Sequence, residues 1–135
     1  VPNAKVITPN HLEAGRLLGR VLEDDLSAIG DAAYELIDAG PEAVVITGGR
    51  RSGEAAIDVV VCAGKTTILE RPKIRTTNVR GSGDTLSAVV AAELAKGSAT
   101  LDAIFLAHEF TTNAISRSAE WELGSGQGPI GQMRW

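Results

Sequence analysis

The sequence predicts an α/β protein, because short apolar segments alternate with segments whose apolar residues recur at helical spacing. Aliphatic residues must fill its core, since apolar residues make up 44% of the chain and aromatic residues only 4%. Neither an internal repeat nor a low-complexity block interrupts the alternation. A chain of 135 residues suits one domain, so we expect residues 1–135 to form a single domain.

The first predicted elements are a strand and two helices. Residues 5–8 read as a short buried strand, and Asn10 is placed to open a helix over residues 11–18. A second helix is predicted over residues 26–39, where apolar residues recur at helical spacing before a Gly-Pro stop signal. Each of these helices has one apolar face, which we expect to cover a sheet.

The middle of the chain is rich in predicted strands. Residues 43–47 form a continuous apolar run, typical of a central parallel strand covered on both faces, and the run breaks at a Gly-Gly pair. Residues 56–62 and 66–70 are β-rich and are separated by a short glycine-containing turn, which predicts a hairpin. The sheet is therefore predicted to be mixed and mostly parallel.

Two further helices are predicted in the last part of the chain. An alanine-rich helix covers residues 85–96 and ends at Gly97, and another helix covers residues 101–120. The segment after Gly124 is rich in glycine.

The composition and charge of the chain exclude several classes of binding partner. A net charge of −4 and a pI near 5.1 give no basic surface for nucleic acid. The single cysteine, Cys62, rules out an internal disulfide and fits a reducing compartment. No apolar run approaches the ~18 residues of a membrane helix. The sequence is interpreted as that of a cytoplasmic protein that binds neither nucleic acid nor membrane.

The most informative motif is Gly81-Ser82-Gly83-Asp84, which opens the alanine-rich helix. Glycines let the backbone approach a ligand, and the unpaired amides of a helix start hold anions. Phosphoryl transfer needs such donors together with a carboxylate that receives the proton of the attacking hydroxyl. Asp84 is placed to be that carboxylate, and a weak base is sufficient because the transition state is loose.

The alternative for the same motif is structural. Asp84 or Ser82 would then only cap the helix, a contribution of about 1 kcal/mol, and the glycines would serve a turn. Spacing alone does not separate a helix cap from a catalytic site.

A second motif, Asn10-x-x-Glu13, precedes and enters the first helix. Asparagine at a cap position with glutamate three residues later is also the pattern of a capping box. In a phosphoryl-transfer enzyme the carboxylate of Glu13 would instead face Mg²⁺, which takes one or two carboxylates together with phosphate oxygens. Both interpretations stay open.

A third motif, Thr47-Gly48-Gly49, follows the most apolar predicted strand. The hydroxyl and the exposed amides of this segment could contact a nucleotide, since open α/β sheets bind ligands at the ends of their strands. An ordinary strand exit is the alternative.

Taken in order, the motifs resemble those of a known family. Three segments carry the resemblance: Ile7-Thr8-Pro9-Asn10-x-x-Glu13, Val45-Ile46-Thr47-Gly48-Gly49 and Thr76-x-Asn78-x-x-Gly81-Ser82-Gly83-Asp84-Thr85-Leu86-Ser87-Ala88. This ordered set is similar to the ribokinase-like vitamin kinases, and most similar to hydroxymethylpyrimidine/phosphomethylpyrimidine kinase of thiamine biosynthesis. Pyridoxal kinase is the close relative.

The resemblance implies a three-layer α/β/α sandwich in which ATP and Mg²⁺ meet a primary alcohol on a small heteroaromatic ring. Asp84 would be the catalytic base, and the amides of Gly81, Ser82, Gly83 and Asp84 the anion hole. Asn10 and Glu13 match the motif that organises phosphate and Mg²⁺. The segment Thr47-Gly48-Gly49 matches the one beside the nucleotide.

Departures from the family pattern bear on the substrate. The pyrimidine kinases usually have cysteine in place of Asp84, histidine in place of Arg80 and lysine in place of Thr47, and these differences favour pyridoxal kinase. Residues 76–78 and the tail at 126–130 are instead similar to the pyrimidine branch. Phosphorylation of a pyrimidine precursor of thiamine is the first interpretation, with pyridoxal or pyridoxine as the alternative acceptor.

Length is the largest departure. Members of the family are about twice as long, and this sequence resembles their C-terminal half, whereas the pocket for the alcohol is built mainly by the N-terminal half. We therefore expect the chain to pair with a missing N-terminal half or with another copy of itself. The alternative is a nucleotide-binding module without catalytic activity.

Overall fold

A computed structural model describes residues 3–49, 55–72 and 82–118. The chain divides into two compact units, Val1–Lys73 and Ile74–Trp135. Residues 73–81, which include the motif's first glycine Gly81, and the tail after residue 118 lie outside the described residues.

The first unit contains a four-stranded sheet in the order β1-β2-β3-β4. Its strands are β1 (Val6–Ile7), β2 (Ala43–Gly49), β3 (Ala55–Cys62) and β4 (Lys65–Pro72). β1 pairs with β2 in parallel, whereas β2 with β3 and β3 with β4 are antiparallel. The sheet is mixed, as predicted, but parallel pairing among the described strands is limited to β1 and β2. The connections from β2 to β4 are too short for a parallel crossover, which corrects the expectation of a mostly parallel sheet.

The hairpin of β3 and β4 is confirmed, with a turn one residue shorter than predicted. Ala63 and Gly64 form the turn, with φ of 52° and 76°. Positive φ at both central residues is the geometry of a type I′ turn, which matches the twist of the flanking strands. Lys65, expected in the turn, is the first residue of β4 and pairs with Cys62.

Two helices of the first unit follow the predicted bounds closely. Helix α1 spans His11–Leu18 and ends at Gly19, whose φ of 71° is left-handed. Helix α2 spans Leu26–Asp38, and the Asp25 side chain accepts a hydrogen bond of 2.7 Å from the amide of Ala28. Both starts are therefore capped by a side-chain oxygen, which replaces one of the hydrogen bonds missing in a first turn.

The core of the first unit lies between the sheet and these helices. Its buried members are aliphatic, as the composition requires: Ala14, Leu22, Ile29, Ala32, Ala33, Leu36, Val44, Ile46, Ile57, Val59 and Val61. Val45 and Val60, which alternate with the core residues along β2 and β3, are also buried. Both faces of these strands are therefore removed from water, as the continuous apolar run predicts.

The loop after α1 packs tightly on that helix. A Cβ at Gly15 would lie 2.7 Å from the carbonyl oxygen of Arg20, closer than real side chains approach. The buried ring of His11 donates from Nε2 to the carbonyl of Leu22 at 2.6 Å. His11 thus has a structural role in this loop.

Tyr34 connects helix α2 to the hairpin turn. Its hydroxyl donates to the carbonyl of Gly64 at 3.5 Å and accepts from the hydroxyl of Thr66 at 3.0 Å. The phenol is 42% exposed, so these contacts lie at the surface. They hold the turn against the helix from outside the core.

The second unit contains a pair of helices. Helix α3 spans Ser82–Ala95 and helix α4 spans Thr100–Ser118. They pack against each other, and their buried residues are small or aliphatic and include Leu86, Val90, Ala103 and Ala107. Helix α3 begins three residues earlier than the periodic pattern predicts, so Ser82, Gly83 and Asp84 of the motif are part of the helix.

In the residues that the structure describes, no helix is long and apolar enough to span a membrane.

Candidate functional site

The end of β2 and the start of α1 lie side by side in the first unit. The amide of Thr47 donates to the carbonyl of Pro9 at 3.0 Å, and Thr47 forms an isolated parallel bridge with Asn10. Because β1 and β2 are parallel, their carboxyl ends meet at one edge of the sheet, where open α/β folds bind ligands. The second and third motifs of the sequence are therefore brought together.

Asn10 and Glu13 form a complete capping box at the start of α1. The Asn10 Oδ1 atom accepts from the amide of Glu13 at 2.8 Å, and the Glu13 Oε2 atom accepts from the amide of Asn10 at 2.8 Å. The capping interpretation of this motif is confirmed. The box also fixes the direction of an exposed carboxylate beside the end of β2.

The segment from Thr47 to Gly49 contains a β-bulge. Ile46 pairs with Val59 and Gly49 pairs with Ile57, so two residues of β2 face one residue of β3. Gly48 within the bulge has φ of 77°, which favours glycine. Strand β2 continues through both glycines rather than ending before them, and the bulge changes the direction of their peptide groups.

Asp58 of β3 lies opposite this bulge. Its side chain is buried, with 3% relative exposure, and its Oδ1 atom accepts from the amide of Gly48 at 3.4 Å. A buried carboxylate requires such partners, because removal from water is otherwise unfavourable. This hydrogen bond attaches the bulge of β2 to the neighbouring strand β3.

The second unit presents Asp84 in the first turn of α3. The Asp84 side chain is exposed. First-turn amides lack partners within a helix, and the partial positive charge there favours anions. A carboxylate and a set of backbone donors are thus combined within Ser82, Gly83 and Asp84, the described part of the predicted anion hole.

An open groove adjoins Asp84 between α3 and α4. Its volume is about 370 Å³, and its walls are formed by Asp84, Thr85, Ala88, Val89 and Phe110. Except for the carboxylate and one hydroxyl, these walls are apolar. The groove is thus suited to a flat ring at its apolar end and to a polar group at its Asp84 end.

The predicted site residues thus form two groups. Asn10, Glu13, Thr47, Gly48 and Gly49 belong to the first unit, whereas Ser82, Gly83 and Asp84 belong to the second. Within the described ranges, no cluster of three or more His, Cys, Asp or Glu side chains could hold a metal ion. A single carboxylate still fits Mg²⁺ that is held mainly by phosphate oxygens, and Glu13 supplies one.

Two residues of these regions were not found from the sequence. Asp58 is the one charged residue in the apolar segment Ile57-Asp58-Val59-Val60-Val61, and that interruption was the available signal. Phe110 lies in the middle of a helix, where an aromatic residue usually indicates packing. Nothing local in the sequence distinguishes it.

Comparisons of sequence place the chain among kinases. Residues 1–131 match the family described as phosphomethylpyrimidine kinase. The chain is 35% identical to hydroxymethylpyrimidine/phosphomethylpyrimidine kinase of Rhizobium meliloti, over 100% of this chain and 51% of that protein. It is 43% identical to pyridoxine kinase of Bacillus subtilis, over 87% of this chain and 44% of that protein. The chain therefore spans about half the length of the curated relatives it matches.

A comparison with solved structures also identifies a kinase as similar to this chain. The ADP complex of Bacillus subtilis pyridoxal kinase superimposes with a TM-score of 0.89 at 39% identity, over 97% of this chain and 49% of that one. This similarity extends beyond the sheet and confirms the predicted ribokinase-like α/β fold. On the family match and the conserved fold together, the chain belongs to the phosphomethylpyrimidine kinase family.

Proposed function

We propose that this chain is the nucleotide-binding and catalytic part of a kinase that transfers a phosphoryl group from ATP to the hydroxymethyl group of a pyrimidine precursor of thiamine. One observation carries the proposal. Asp84 stands exposed in the first turn of α3, at the wall of an open groove, in a chain of a kinase family. A carboxylate next to helix-start donors is the pair of features that phosphoryl transfer requires.

Asp84 acts as the base in this proposal. Its carboxylate accepts the proton of the acceptor hydroxyl while the oxygen of that hydroxyl bonds to the γ-phosphorus and the bond to the leaving ADP breaks. The amides of Gly81, Ser82, Gly83 and Asp84 donate to the oxygens of the transferred group. Proton transfer comes late in a loose transition state, so a weak base is adequate.

The end of β2 binds the nucleotide phosphates in this proposal. The bulge presents the peptide groups of Thr47, Gly48 and Gly49 at the edge of the sheet, next to the capped start of α1. Asn10 is engaged as a cap, so its contribution is to hold the Glu13 carboxylate in place. Mg²⁺, when bound, neutralises phosphate charge, and the exposed carboxylate of Glu13 would face it directly or through water.

The groove beside Asp84 accommodates the adenine ring. The acceptor hydroxyl has to lie within hydrogen-bond distance of Asp84, so its small ring stays close to the helix start. Val89 lies about 7.5 Å farther along the helix axis, because each residue adds ~1.5 Å. An adenine ring against Val89 and Phe110 therefore leaves the first turn of α3 for the transferred phosphoryl group and the acceptor hydroxyl. The ADP complex of the Bacillus subtilis relative supports nucleotide binding by this fold.

Pyridoxal or pyridoxine is the second candidate acceptor. The 43% identity to a pyridoxine kinase favours it, as do Asp84, Arg80 and Thr47 in place of the residues usual in the pyrimidine branch. The two acceptors share a hydroxymethyl group on a six-membered heteroaromatic ring. The same base and anion hole therefore serve either one.

The acceptor site is completed outside this chain in our proposal. The chain spans about half the length of relatives such as the Rhizobium meliloti kinase. In the described sheet, its first strand, Val6–Ile7, has a neighbour on one side, which is β2. A further segment of the protein, or a second copy, would supply the remaining walls. Purified 135-residue chain should then bind nucleotide without turning over any alcohol.

The test is ADP release by the full-length protein. Hydroxymethylpyrimidine, its monophosphate, pyridoxal and ribose are compared at equal concentration with ATP and Mg²⁺. The highest kcat/KM is expected for a pyrimidine. Preference for pyridoxal would select the second candidate, and preference for ribose would reject both. Nucleotide binding without release of ADP on any alcohol would instead indicate a non-catalytic module.

A further inference from the structure

The buried side chain of Asp58 has no role in the proposed chemistry, yet it lies in a strand whose other central residues are buried and aliphatic. Its neighbours Ile57, Val59 and Val60 are at most 1% exposed. Side chains alternate along a strand, so Asp58 points to the face opposite Ile57 and Val59. Val60, two residues away on that same face, is a fully buried aliphatic side chain. A carboxylate kept there indicates a specific contact.

One contact of this carboxylate is at the bulge of β2. Thr47 and Gly48 together face Asp58, because the register shifts by one residue between Ile46 and Gly49. The shift turns the amide of Gly48 out of the regular ladder, and the Asp58 Oδ1 atom accepts from it at 3.4 Å. A carboxylate oxygen can accept from this amide where the ladder supplies no carbonyl oxygen.

The bulge is held from two sides. On one side the amide of Thr47 donates to the carbonyl of Pro9 at 3.0 Å. On the other side Asp58 holds Gly48, whose φ of 77° an unconstrained chain would leave readily. The orientation of the peptide groups between Thr47 and Gly49 depends on both contacts.

We infer that Asp58 is a positioning residue that orients the Thr47 to Gly49 bulge for the phosphates of the nucleotide. The inference rests on the proposed function, because that proposal assigns the bulge to nucleotide binding. Asp58 acts through Gly48 and touches neither substrate. Its loss therefore weakens nucleotide binding selectively and leaves the acceptor alcohol unaffected.

The test compares substitutions of Asp58 in the full-length protein. Asp58→Val removes the acceptor but keeps an aliphatic shape, and Asp58→Asn keeps an oxygen that can accept from Gly48. We expect Asp58→Val to weaken binding of the nonhydrolysable analogue AMP-PCP about tenfold, the effect of one charged hydrogen bond. Asp58→Asn should remain within about threefold of wild type, and the KM of the alcohol should change by less than about twofold in both.

A matched control and a second variant keep the test decisive. Glu70→Val removes an exposed carboxylate from β4 and should leave AMP-PCP binding unchanged. If Asp58→Val does not fold, Asp58→Ser is expected to show the same selective loss, because its shorter side chain does not reach Gly48.

Three results would overturn the inference. Wild-type affinity in Asp58→Val or Asp58→Ser would show that the bulge does not need the carboxylate. An equal loss of affinity for AMP-PCP and for the alcohol would show a general structural role. Absence of AMP-PCP binding by wild-type protein would overturn the proposed function and the inference together, whereas the first two results leave the proposed function intact.

Discussion

The first turns of α1 and α3 carry the same kind of sequence signal and use it differently. Each contains one acidic residue, Glu13 in α1 and Asp84 in α3. The Glu13 carboxylate accepts from the backbone of Asn10 and completes a capping box. The Asp84 carboxylate is exposed and forms one wall of the groove that contains Phe110.

The difference shows that an acidic residue near a helix start has to be judged by its partners. A carboxylate engaged by its own helix stabilises the fold and is restrained in direction. A carboxylate that faces a groove keeps its acceptor atoms for a ligand. The two helix starts should therefore respond to mutation in opposite ways, one in stability and the other in rate.

The largest expected effect is on turnover at Asp84. Asp84→Asn in the full-length protein should lower kcat about 10³-fold, because the amide cannot accept the proton of the alcohol. The KM for ATP should stay within about twofold of wild type. Steady-state ADP release measures both values. The matched change Glu13→Gln should lower kcat far less, and a loss as large as that of Asp84→Asn would erase the distinction between the two helix starts.

The groove gives the next largest effect. Phe110→Ala removes most of one apolar wall and should raise the KM for ATP about tenfold, the cost of losing contact with a flat base. The KM for the alcohol should not change. Initial rates with each substrate varied in turn provide the measurement. A raised KM for the alcohol alone would assign the groove to the acceptor ring.

Stability should respond mainly at α1. Asn10→Ala removes the cap and is expected to lower the free energy of unfolding by about 1 kcal/mol, since the amide of Glu13 loses its partner. Asp84→Ala should change it by less than about 0.5 kcal/mol, as an exposed substitution does. Urea unfolding followed by circular dichroism measures both. A larger loss for Asp84→Ala would mean that Asp84 is itself a cap.

The smallest effect concerns another engaged carboxylate, Glu35 of α2. Arg20 donates two hydrogen bonds to it, at 2.6 and 3.2 Å, and this lowers the pKa of the Glu35 carboxyl. The stabilisation of the folded state by this ion pair is therefore fully present at pH values above the usual carboxyl pKa. It declines as the pH falls through the lowered pKa of Glu35. Arg20→Gln should raise the pKa of Glu35 towards its ordinary value, measured by an NMR titration.

A matched control is Lys5→Gln, which removes a cation paired with Glu42 instead. It should leave the pKa of Glu35 unchanged. An unaltered pKa in Arg20→Gln would show that the ion pair is absent in solution, as many exposed pairs are weak.

Much of the fold could be predicted because its signals are local. The cap at Asn10 and the stop at Gly19 each depend on the conformation of a few residues, and both helix α1 and the hairpin occur where the pattern places them. The parallel content of the sheet was overestimated. A continuous apolar run indicates burial on both faces, but the direction of a neighbouring strand depends on connection length, as the short link from Gly49 to Ala55 shows.

The candidate site was predicted less completely because its decisive contacts are distant in sequence. Asn10 and Glu13 satisfied both a capping and a metal interpretation, and only the two hydrogen bonds between them confirm the first. Asp58 on β3 contacts Gly48 on the neighbouring strand β2, and Phe110 lines the groove from a different helix than Asp84. No spacing rule within one segment reveals such pairs.

The contacts of Tyr34 make it a natural spectroscopic reporter. It is the single tyrosine of the chain, and its hydroxyl joins the side of α2 to the turn between β3 and β4. Its ring resonances therefore sense whether helix and hairpin separate. Because they need no introduced label, they can follow partial opening of the first unit during denaturation or on addition of nucleotide.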